Sequence, residues 1–244
     1  MRTVRILRGL LDVILPSSCS YCNGPVGDSG IAHFCRECWG DFAMISGPLC
    51  PCCGKPFGSP ASLEHSPDHV CGECRRRPPK FDQALAVGQF EGPLREAIHQ
   101  FKYRPCRSLG RPLGEWFAQN IRILPRLEVA IPVPLHGSRL RQRGFNQALL
   151  LAHHLHEKHG ISLSFDNLVR MRRTMPQVEL SAEERIKNVA DAFALRRPDE
   201  IYAKNVVIVD DVFTTGATMN ECASVLKAAG AAEVVALTLA RTLL

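Results

Sequence analysis

The stretch VVIVDDVFTTGAT, residues 206–218, decides the fold and carries the candidate site. Its four leading residues are β-branched and apolar, and a short run of this kind predicts a strand that is buried on both faces of a parallel sheet. Asp210 and Asp211 follow at the point where we expect the strand to end. A loop rich in Thr and Gly comes next, and the pattern over residues 219–229 predicts a helix. The predicted order is strand, acid pair, loop and helix.

The loop and the acid pair offer complementary groups to one ligand. Hydroxyls and free backbone N–H groups collect at the start of the helix, where partial positive charge favours an anion such as a phosphate. The carboxylates of Asp210 and Asp211 suit hydroxyl groups or a hydrated Mg²⁺ ion, and we expect both to face a solvent-filled crevice. A buried strand that ends in Asp and a Thr-Gly turn that caps a helix are each common alone. Their combination is what indicates an anion site.

Length, composition and charge restrict the class of protein. The 244 residues can form one large core or two modest domains. Hydrophobic residues make up 45% of the chain and charged residues 22%, which is typical of a soluble protein. The formal net charge of +6 favours anionic partners without proving that nucleic acid binds. No apolar run is long enough for a transmembrane segment, and no P-loop motif indicates a nucleoside triphosphatase.

The first 15 residues combine arginines with a short apolar stretch. Asp12 interrupts this stretch and no small-residue cleavage site follows, which argues against a signal peptide. Apolar residues at positions 4, 7, 11 and 14 predict an amphipathic helix that ends at Pro16. We expect the helix to pack on the body of a cytoplasmic protein. Peripheral contact with the inner face of the membrane is the alternative.

Four Cys-x-x-Cys pairs in the first third of the chain predict two structural zinc sites. Their members are Cys19, Cys22, Cys35, Cys38, Cys50, Cys53, Cys71 and Cys74. A disulfide framework would need an oxidising compartment, and no feature of the sequence indicates export. Pairing in chain order gives two successive sites, and a cross-braced pairing stays open. Cys52 lies outside the spacing and is not expected to bind metal.

The chain is predicted to divide near residue 80. Residues 1–80 hold the N-terminal helix and a double zinc-ribbon domain, and the basic, proline-stiffened segment 75–80 is interpreted as a linker or as a phosphate-contacting patch. In residues 81–244 strands alternate with helices, which predicts an α/β domain with a parallel sheet whose ligands bind beyond the carboxyl ends of the strands. Predicted strands cover 84–90, 129–133, 168–171, 192–195, 206–209 and 234–239, and predicted helices cover 93–102, 109–121, 144–159 and 219–229.

Two further segments are predicted to be functional loops. Residues 134–147, PLHGSRLRQRGFNQ, follow a predicted strand, and their arginines suit a pyrophosphate group, although a solvated basic turn would have the same composition. Residues 172–188 are polar and have little periodicity, which predicts a mobile lid.

The motif over 206–218 resembles the signature of the type I phosphoribosyltransferases. Together with HQFKYRP, IPVPLHGSRLRQRGFNQ and LVRMRRTMPQVELSAEERIKNVADAF, and behind paired cysteines, it resembles the ComF family over essentially the whole chain. ComF proteins are phosphoribosyltransferase-like and are associated with DNA uptake during natural competence. The resemblance implies a type I phosphoribosyltransferase-like parallel sheet flanked by helices and preceded by a small zinc-ribbon domain.

The resemblance also implies roles for individual residues. Asp210 and Asp211 would hold the ribose hydroxyls of phosphoribosyl pyrophosphate (PRPP), and a Mg²⁺ ion would accompany the ligand. The 5-phosphate would lie against Thr214, Thr215, Gly216, Ala217 and Thr218. Residues 139–146 would form the pyrophosphate loop and 174–188 the flexible loop. Arg139, Arg143 and Arg173 would stabilise the leaving pyrophosphate.

Three functions compete at this point. The first is a phosphoribosyltransferase with an unidentified acceptor. The second is a PRPP-binding protein without turnover that serves DNA import with other competence proteins. The third is a zinc-ribbon protein that binds single-stranded DNA. The basic segments 75–80 and 139–143 favour salt-sensitive DNA binding, whereas an aromatic content of 7% offers few stacking platforms. The PRPP signature argues against the third function as a complete account. Binding and catalysis share their residues, so the first two stay open.

Overall fold

The computed structural model describes residues 18–27, 31–58, 69–103, 107–121, 126–172, 174 and 181–243. The helix predicted over the first 15 residues lies outside this part of the chain. No helix among the described residues is long and apolar enough to cross a membrane.

A parallel sheet forms the centre of the structure. The described strands are β1 (Gln83–Gln89), β2 (Val129–Pro132), β3 (Ser162–Leu163), β4 (Leu168–Arg170), β5 (Phe193–Leu195), β6 (Asn205–Phe213) and β7 (Glu233–Arg241). Five of them form one sheet in the order β1-β7-β6-β2-β3, and every neighbouring pair in it is parallel. The strand built from the opening motif, β6, lies in the middle.

Helices cover both faces of this sheet. The described α-helices are α1 (Arg36–Gly40), α2 (Gly72–Arg76), α3 (Gly92–Tyr103), α4 (Gly110–Asn120), α5 (Gly137–Arg143), α6 (Gln147–His159), α7 (Ala182–Val189) and α8 (Ala217–Ala228). Val207 and Val209 of β6 share a core with α3, α4 and α6, whereas Val206 and Ile208 share a second core with α8. Because all four side chains are fully buried, the prediction of a strand covered on both faces is confirmed.

Two predicted strands do not join the parallel sheet. β4 and β5 pair antiparallel with each other in a separate two-stranded sheet. Each has only three residues, and Leu168 and Phe193 pack into the core beside α8. Their apolar residues therefore reflect packing against a helix rather than a place in the central sheet.

The segment predicted as a basic loop contains a helix. α5 begins after His136, whose side chain accepts from the N–H of Ser138, and ends at Gly144 in the left-handed conformation. Helix α6 consequently starts at Gln147 rather than at Gly144, with the Asn146 side chain as its N-cap. None of the residues of α5 is buried, so the helix leaves no hydrophobic period in the sequence.

The predicted lid also contains a helix among its described residues. α7 is fixed by a capping box in which Ser181 and Glu184 each accept from the backbone N–H of the other. This is a sequence-local signal for a helix start. A helix thus covers part of the segment, and its role as a mobile lid stays a prediction.

The first third of the chain packs against the edge of the sheet. The Ile45 N–H donates to the Val87 carbonyl at 2.9 Å, and the Gln89 N–H donates to the Ala43 carbonyl at 2.8 Å. Residues 43–45 therefore run beside β1. These contacts cover a strand edge that would otherwise be open. The predicted linker is partly helical, because Arg75 and Arg76 belong to α2. The domain boundary at residue 80 stays a prediction.

Candidate functional site

Two clusters of four cysteines form in the first third of the chain. In each cluster the four Sγ atoms lie within 4.8 Å of one another. One cluster consists of Cys19, Cys22, Cys35 and Cys38, and the other of Cys50, Cys53, Cys71 and Cys74. The pairs are therefore used in chain order, and the cross-braced alternative is wrong. Cys52, which the structure describes, belongs to neither cluster.

The spacing of the sulfurs fits tetrahedral zinc. Four sulfurs at about 2.3 Å from one ion lie about 3.8 Å apart. The distance between the Sγ atoms of Cys22 and Cys35 is 3.8 Å, and that between Cys53 and Cys71 is 3.7 Å. Burial raises the pKa of the Cys53 thiol to about 11, and zinc binding requires this thiol in its ionised form. Each site takes all four ligands from the protein and is therefore structural.

Local backbone geometry turns the sulfurs inward. Cys35 is the N-cap of α1, where its Sγ accepts from the N–H of Cys38 at 3.5 Å. In the second cluster the Cys71 N–H donates to the Cys50 Sγ at 3.4 Å. Gly54 closes that turn with a φ of +67°, and a Cβ on it would collide with the sheet below. The turn therefore requires glycine at this position.

The acid pair lies inside β6 rather than beyond its end. The strand continues to Phe213, because Val212 and Phe213 pair with Ala240 and Arg241 of the equally long β7. The expectation that the strand ends at the acids is therefore wrong. The Thr/Gly loop still follows the carboxyl end of the strand directly, as predicted.

Asp211 points toward α3 and is engaged in an ion pair. Its Oδ1 lies 2.8 Å from Nζ of Lys102 at the end of α3. The residue is only 6% exposed, so the expectation that both acids face a solvent crevice is wrong for Asp211. Adjacent residues of a strand point to opposite faces of a sheet, and the two carboxylates therefore have different neighbours.

Asp210 is partly buried and lies beside the carboxylate of Asp211. Its Oδ1 accepts from the Asp211 N–H at 2.8 Å. Burial and then the neighbouring carboxylate raise the pKa of Asp210 to about 7, while Lys102 and Arg170 act in the opposite direction. A carboxylate with a strongly perturbed pKa in a cluster of charges is typical of a functional site.

Arg170 brings a second cation to the acid pair. It belongs to β4, and its guanidinium lies over the Phe193 ring at 5.1 Å from the centroid. One Nη donates to Oγ1 of Thr174 at 2.5 Å, whereas Nε is buried without a hydrogen-bond partner among the described residues. Burial, and next the charge of Arg139, lower the pKa of Arg170.

The predicted pyrophosphate arginines are placed on α5. Arg139 donates to the Thr174 carbonyl at 3.2 Å, which brings it into the same group as Arg170. Arg143 donates to the Gln147 side chain at 3.2 Å, and Gln147 in turn donates to the Phe101 carbonyl, one residue before Lys102. Arg173 lies outside the described residues.

The Thr/Gly loop forms the start of α8. Gly216 is the N-cap and has a φ of +75°, a conformation that glycine adopts without strain. Thr215 Oγ1 accepts from the Ala217 N–H at 3.4 Å. Thr214 and Thr218 are partly buried beside it. Hydroxyls and the first N–H groups of the helix thus collect in one place.

Sequence reasoning missed two charged residues of this site. Lys102 and Arg170 both lie in segments that carry the family resemblance, HQFKYRP and LVRMRRT, but neither has a local signal of its function. Only the packing of α3 and β4 on opposite faces of β6 brings them to the acid pair.

Family models match both parts of the chain. A family model described as a double zinc ribbon domain matches residues 10–78, and one described as a phosphoribosyl transferase domain matches residues 145–243. Among solved structures, a glutamine PRPP amidotransferase from B. subtilis is 24% identical and covers 52% of this chain and 25% of its own, with a TM-score of 0.36. The fold and the cysteine clusters define a phosphoribosyltransferase-like protein with a double zinc ribbon.

Curated relatives identify the family. The chain is 33% identical to the DNA utilization protein YhgH of Salmonella typhi, over 94% of this chain and 99% of the relative. It is 32% identical to competence protein F of Haemophilus influenzae, over 91% and 96%, and 27% identical to competence protein ComFC of Bacillus subtilis, over 85% and 84%. The chain belongs to the ComF family.

The protein should bind about two zinc ions per chain, since each tetrahedral site takes four sulfurs. Elemental analysis of protein purified without chelator measures this. Cys50→Ser should remove one ion and lower the thermal unfolding midpoint, whereas the matched change Cys52→Ser should leave both sites occupied. Zinc-free protein with oxidised cysteines would contradict the assignment.

Proposed function

We propose that the chain binds PRPP with Mg²⁺ at the acid pair and the Thr/Gly loop, and that it serves DNA uptake or use. The observation that carries this proposal is the cluster of Asp210, Asp211, Lys102 and Arg170 beside the start of α8. The names of the relatives, competence protein and DNA utilization protein, support the biological role.

The loop and the acids match two parts of PRPP. The 5-phosphate needs N–H and O–H donors, which residues 214–218 supply through their hydroxyls and the first turn of α8. The ribose diol needs hydrogen-bond acceptors, which we assign to Asp210 and Asp211. Because Asp211 is paired with Lys102 on the other face of β6, its carboxylate must turn away from that ion pair to reach the same ligand. Both acids lie just before the loop in one strand, so a phosphate and a ribose can be held by consecutive residues.

Cations lie beside the acid pair on both faces of β6, and we assign them to the pyrophosphate. Arg139 and Arg170 share Thr174 as a hydrogen-bond acceptor, and Lys102 lies on the opposite face of β6. Arg143 and Arg173 complete the proposed set. Arginine is suited to this role because its guanidinium can donate two parallel hydrogen bonds to a phosphate. Mg²⁺, when bound with PRPP, would be held through Asp210 and Asp211 and would supply positive charge to offset that of the pyrophosphate.

Turnover would consist of displacement of pyrophosphate from C1 of the ribose by a nucleophile. The ribose becomes cationic while the pyrophosphate leaves as an anion. Asp210 and Asp211 would hold the ribose in place and favour its positive charge, and Arg139 with its neighbours would favour the negative charge on the leaving group. The protein thereby acts through positioning and charge complementarity.

Two alternative functions would use the same residues or the basic surface of the protein. The first is a PRPP-binding protein without turnover, and the second is a protein that binds single-stranded DNA directly. A pyrophosphate-release assay over candidate acceptors, with single-stranded DNA among them, distinguishes them. Release with an acceptor supports the enzyme, and binding of PRPP without release supports the first alternative. Binding of DNA without PRPP supports the second. The cytoplasmic location stays a prediction.

Asp210→Asn should weaken PRPP binding by roughly tenfold or more, because each charge-assisted hydrogen bond contributes about 1.5–3 kcal/mol. Calorimetric titration in the presence of Mg²⁺ measures this, and Asp199→Asn, at an exposed acid, is the control. Asp211→Asn should weaken binding as well but also destabilise the fold, since Lys102 would lose its buried partner. Thr215→Val should have a smaller effect, because the backbone donors remain. An Asp210→Asn protein that binds like the parent would show that this loop is not the PRPP site.

Affinity for PRPP should increase with pH up to about pH 7 and then level off. Asp210 has a raised pKa of about 7 in the ligand-free protein, and the ligand needs its ionised form, so binding below that pH releases a proton. The expected slope is up to about tenfold per pH unit below the pKa. Asp211, Lys102, Arg170 and Cys222 are the titratable or charged groups around it. Calorimetry across this range should show the step in the parent and not in Asp210→Asn. Ionisation of PRPP itself affects both proteins equally, so equal slopes would contradict the assignment.

Lys102→Met should lower the affinity for PRPP roughly tenfold, which is the effect of one charge-assisted hydrogen bond. We expect its ammonium group to act on the pyrophosphate, so the affinity for ribose 5-phosphate should change little. Lys158→Met, on an exposed turn of α6, is the matched control. Equal losses for both ligands would instead mean that Lys102 acts only by orienting Asp211.

A further inference from the structure

Arg241 is a buried arginine at the end of β7 that contacts both halves of the chain. The residue is 5% exposed, and one Nη donates to the carbonyl oxygen of Cys53, a member of the second cysteine cluster. Its guanidinium lies over the ring of Phe213 at 4.9 Å from the centroid. The Nε is buried without a hydrogen-bond partner among the described residues. Burying a cation with so few partners carries a desolvation cost that its contacts only partly offset.

Phe213 transmits this contact to the Thr/Gly loop. It is the last residue of β6 and lies directly against Gly216, where an added Cβ would come within 2.6 Å of the ring. The Thr242 N–H donates to the Phe213 carbonyl at 3.0 Å, which fixes the Phe213 backbone relative to the end of β7. A shift of Arg241 would therefore displace Phe213 and, with it, Gly216 at the N-cap of α8.

A second connection runs between the same two regions. Lys80, six residues after the last ligand of the second cluster, donates its N–H to Oδ1 of Asn220 at 2.7 Å. The Asn220 N–H in turn donates to the Gly216 carbonyl at 2.8 Å. Phe81 packs edge-on against Phe213 with ring centroids 6.0 Å apart. The second cluster is thus joined to the start of α8 by two routes.

The first cluster has a different environment. Its Cys19 and Cys38 belong to the core shared with α3 and α4, on the other side of the sheet from α8. This difference provides an internal control, since a ligand at the Thr/Gly loop should affect the two clusters unequally.

We propose that Arg241 is a positioning residue that couples the metal site of Cys50, Cys53, Cys71 and Cys74 to the Thr/Gly loop. This inference rests on the proposed function, because it takes the 5-phosphate of PRPP as the ligand of the loop. Metal at the second cluster fixes the Cys53 carbonyl, which holds Arg241 and, through Phe213, the loop. Because coupling between two sites is reciprocal, PRPP binding must then raise the zinc affinity of the second cluster by the same factor.

The test on the parent protein is an equilibrium competition for zinc. A zinc-selective chelator is titrated into the zinc-loaded full chain in excess Mg²⁺, with and without PRPP. Cys22→Ser, which disrupts only the first cluster, assigns the two steps. We expect PRPP to raise the zinc affinity of the second cluster at least about fivefold, the lower end of typical couplings, and to leave the first unchanged. Equal changes at both clusters, or none at the second, would overturn the coupling.

Variants at position 241 test the residue itself. Arg241→Gln should lower PRPP affinity up to about fivefold and reduce the effect of PRPP on zinc by the same factor, while the route through Lys80 and Asn220 stays in place. Arg241→Lys keeps a cation that can donate to the Cys53 carbonyl and should restore part of both. Arg197→Gln, at an exposed arginine paired with Asp166 and Glu200, should change neither. A merely structural role would lower stability without breaking the link between the two ligands.

The outcomes separate this inference from the proposed function. A parent protein that binds no PRPP overturns both. A parent that binds PRPP tightly while the zinc affinity of its second cluster is unaffected overturns the coupling alone. The role of Arg241 is overturned if the Arg241→Gln protein is folded by circular dichroism and keeps both the PRPP affinity and the zinc response of the parent.

Discussion

The burial of β6 on both faces is the constraint on which the rest of this structure depends. Its four leading side chains are fully buried, two in each core, so helices must cover both sides of the sheet. The strand is also paired on both edges, by β2 and β7. Residues 206–209 are therefore fixed in all directions, and residues 210–213, which pair with β7 alone, carry the acid pair from there toward the Thr/Gly loop.

The cysteine clusters stabilise a part of the chain that has little apolar surface to bury. The second cluster packs with Phe57, Val70 and Cys52, which is too little apolar surface for a core of its own. Metal ligation replaces that core, and the contacts of the Cys52 and Cys53 carbonyls with Ala84 and Arg241 anchor the cluster to the sheet. The ribbon is thus attached beside the strand ends that form the candidate site, although its metal takes no part in any reaction there.

Much of this could be predicted from sequence, and the misses have physical causes. Residues 206–209 predict the buried strand because a short β-branched apolar run bounded by polar residues is typical of a strand with a two-sided core. The Cys-x-x-Cys spacing predicts the clusters because it places two sulfurs on one ion. Helix α5 was missed since none of its residues is buried, so it has no periodicity. The pairing of β4 with β5 was missed since three-residue strands carry no signal of their partner.

The charges of the site show why local sequence cannot define it. Asp210 and Asp211 are adjacent in the chain, yet one is paired with Lys102 from α3 and the other lies near Arg170 from β4. The two cations come from opposite sides of the sheet because successive strand residues face opposite ways. An acid pair in the middle of a sheet would be costly to bury alone, so cations from both layers must accompany it. Carboxylates and cations are therefore brought together by the same packing that buries β6.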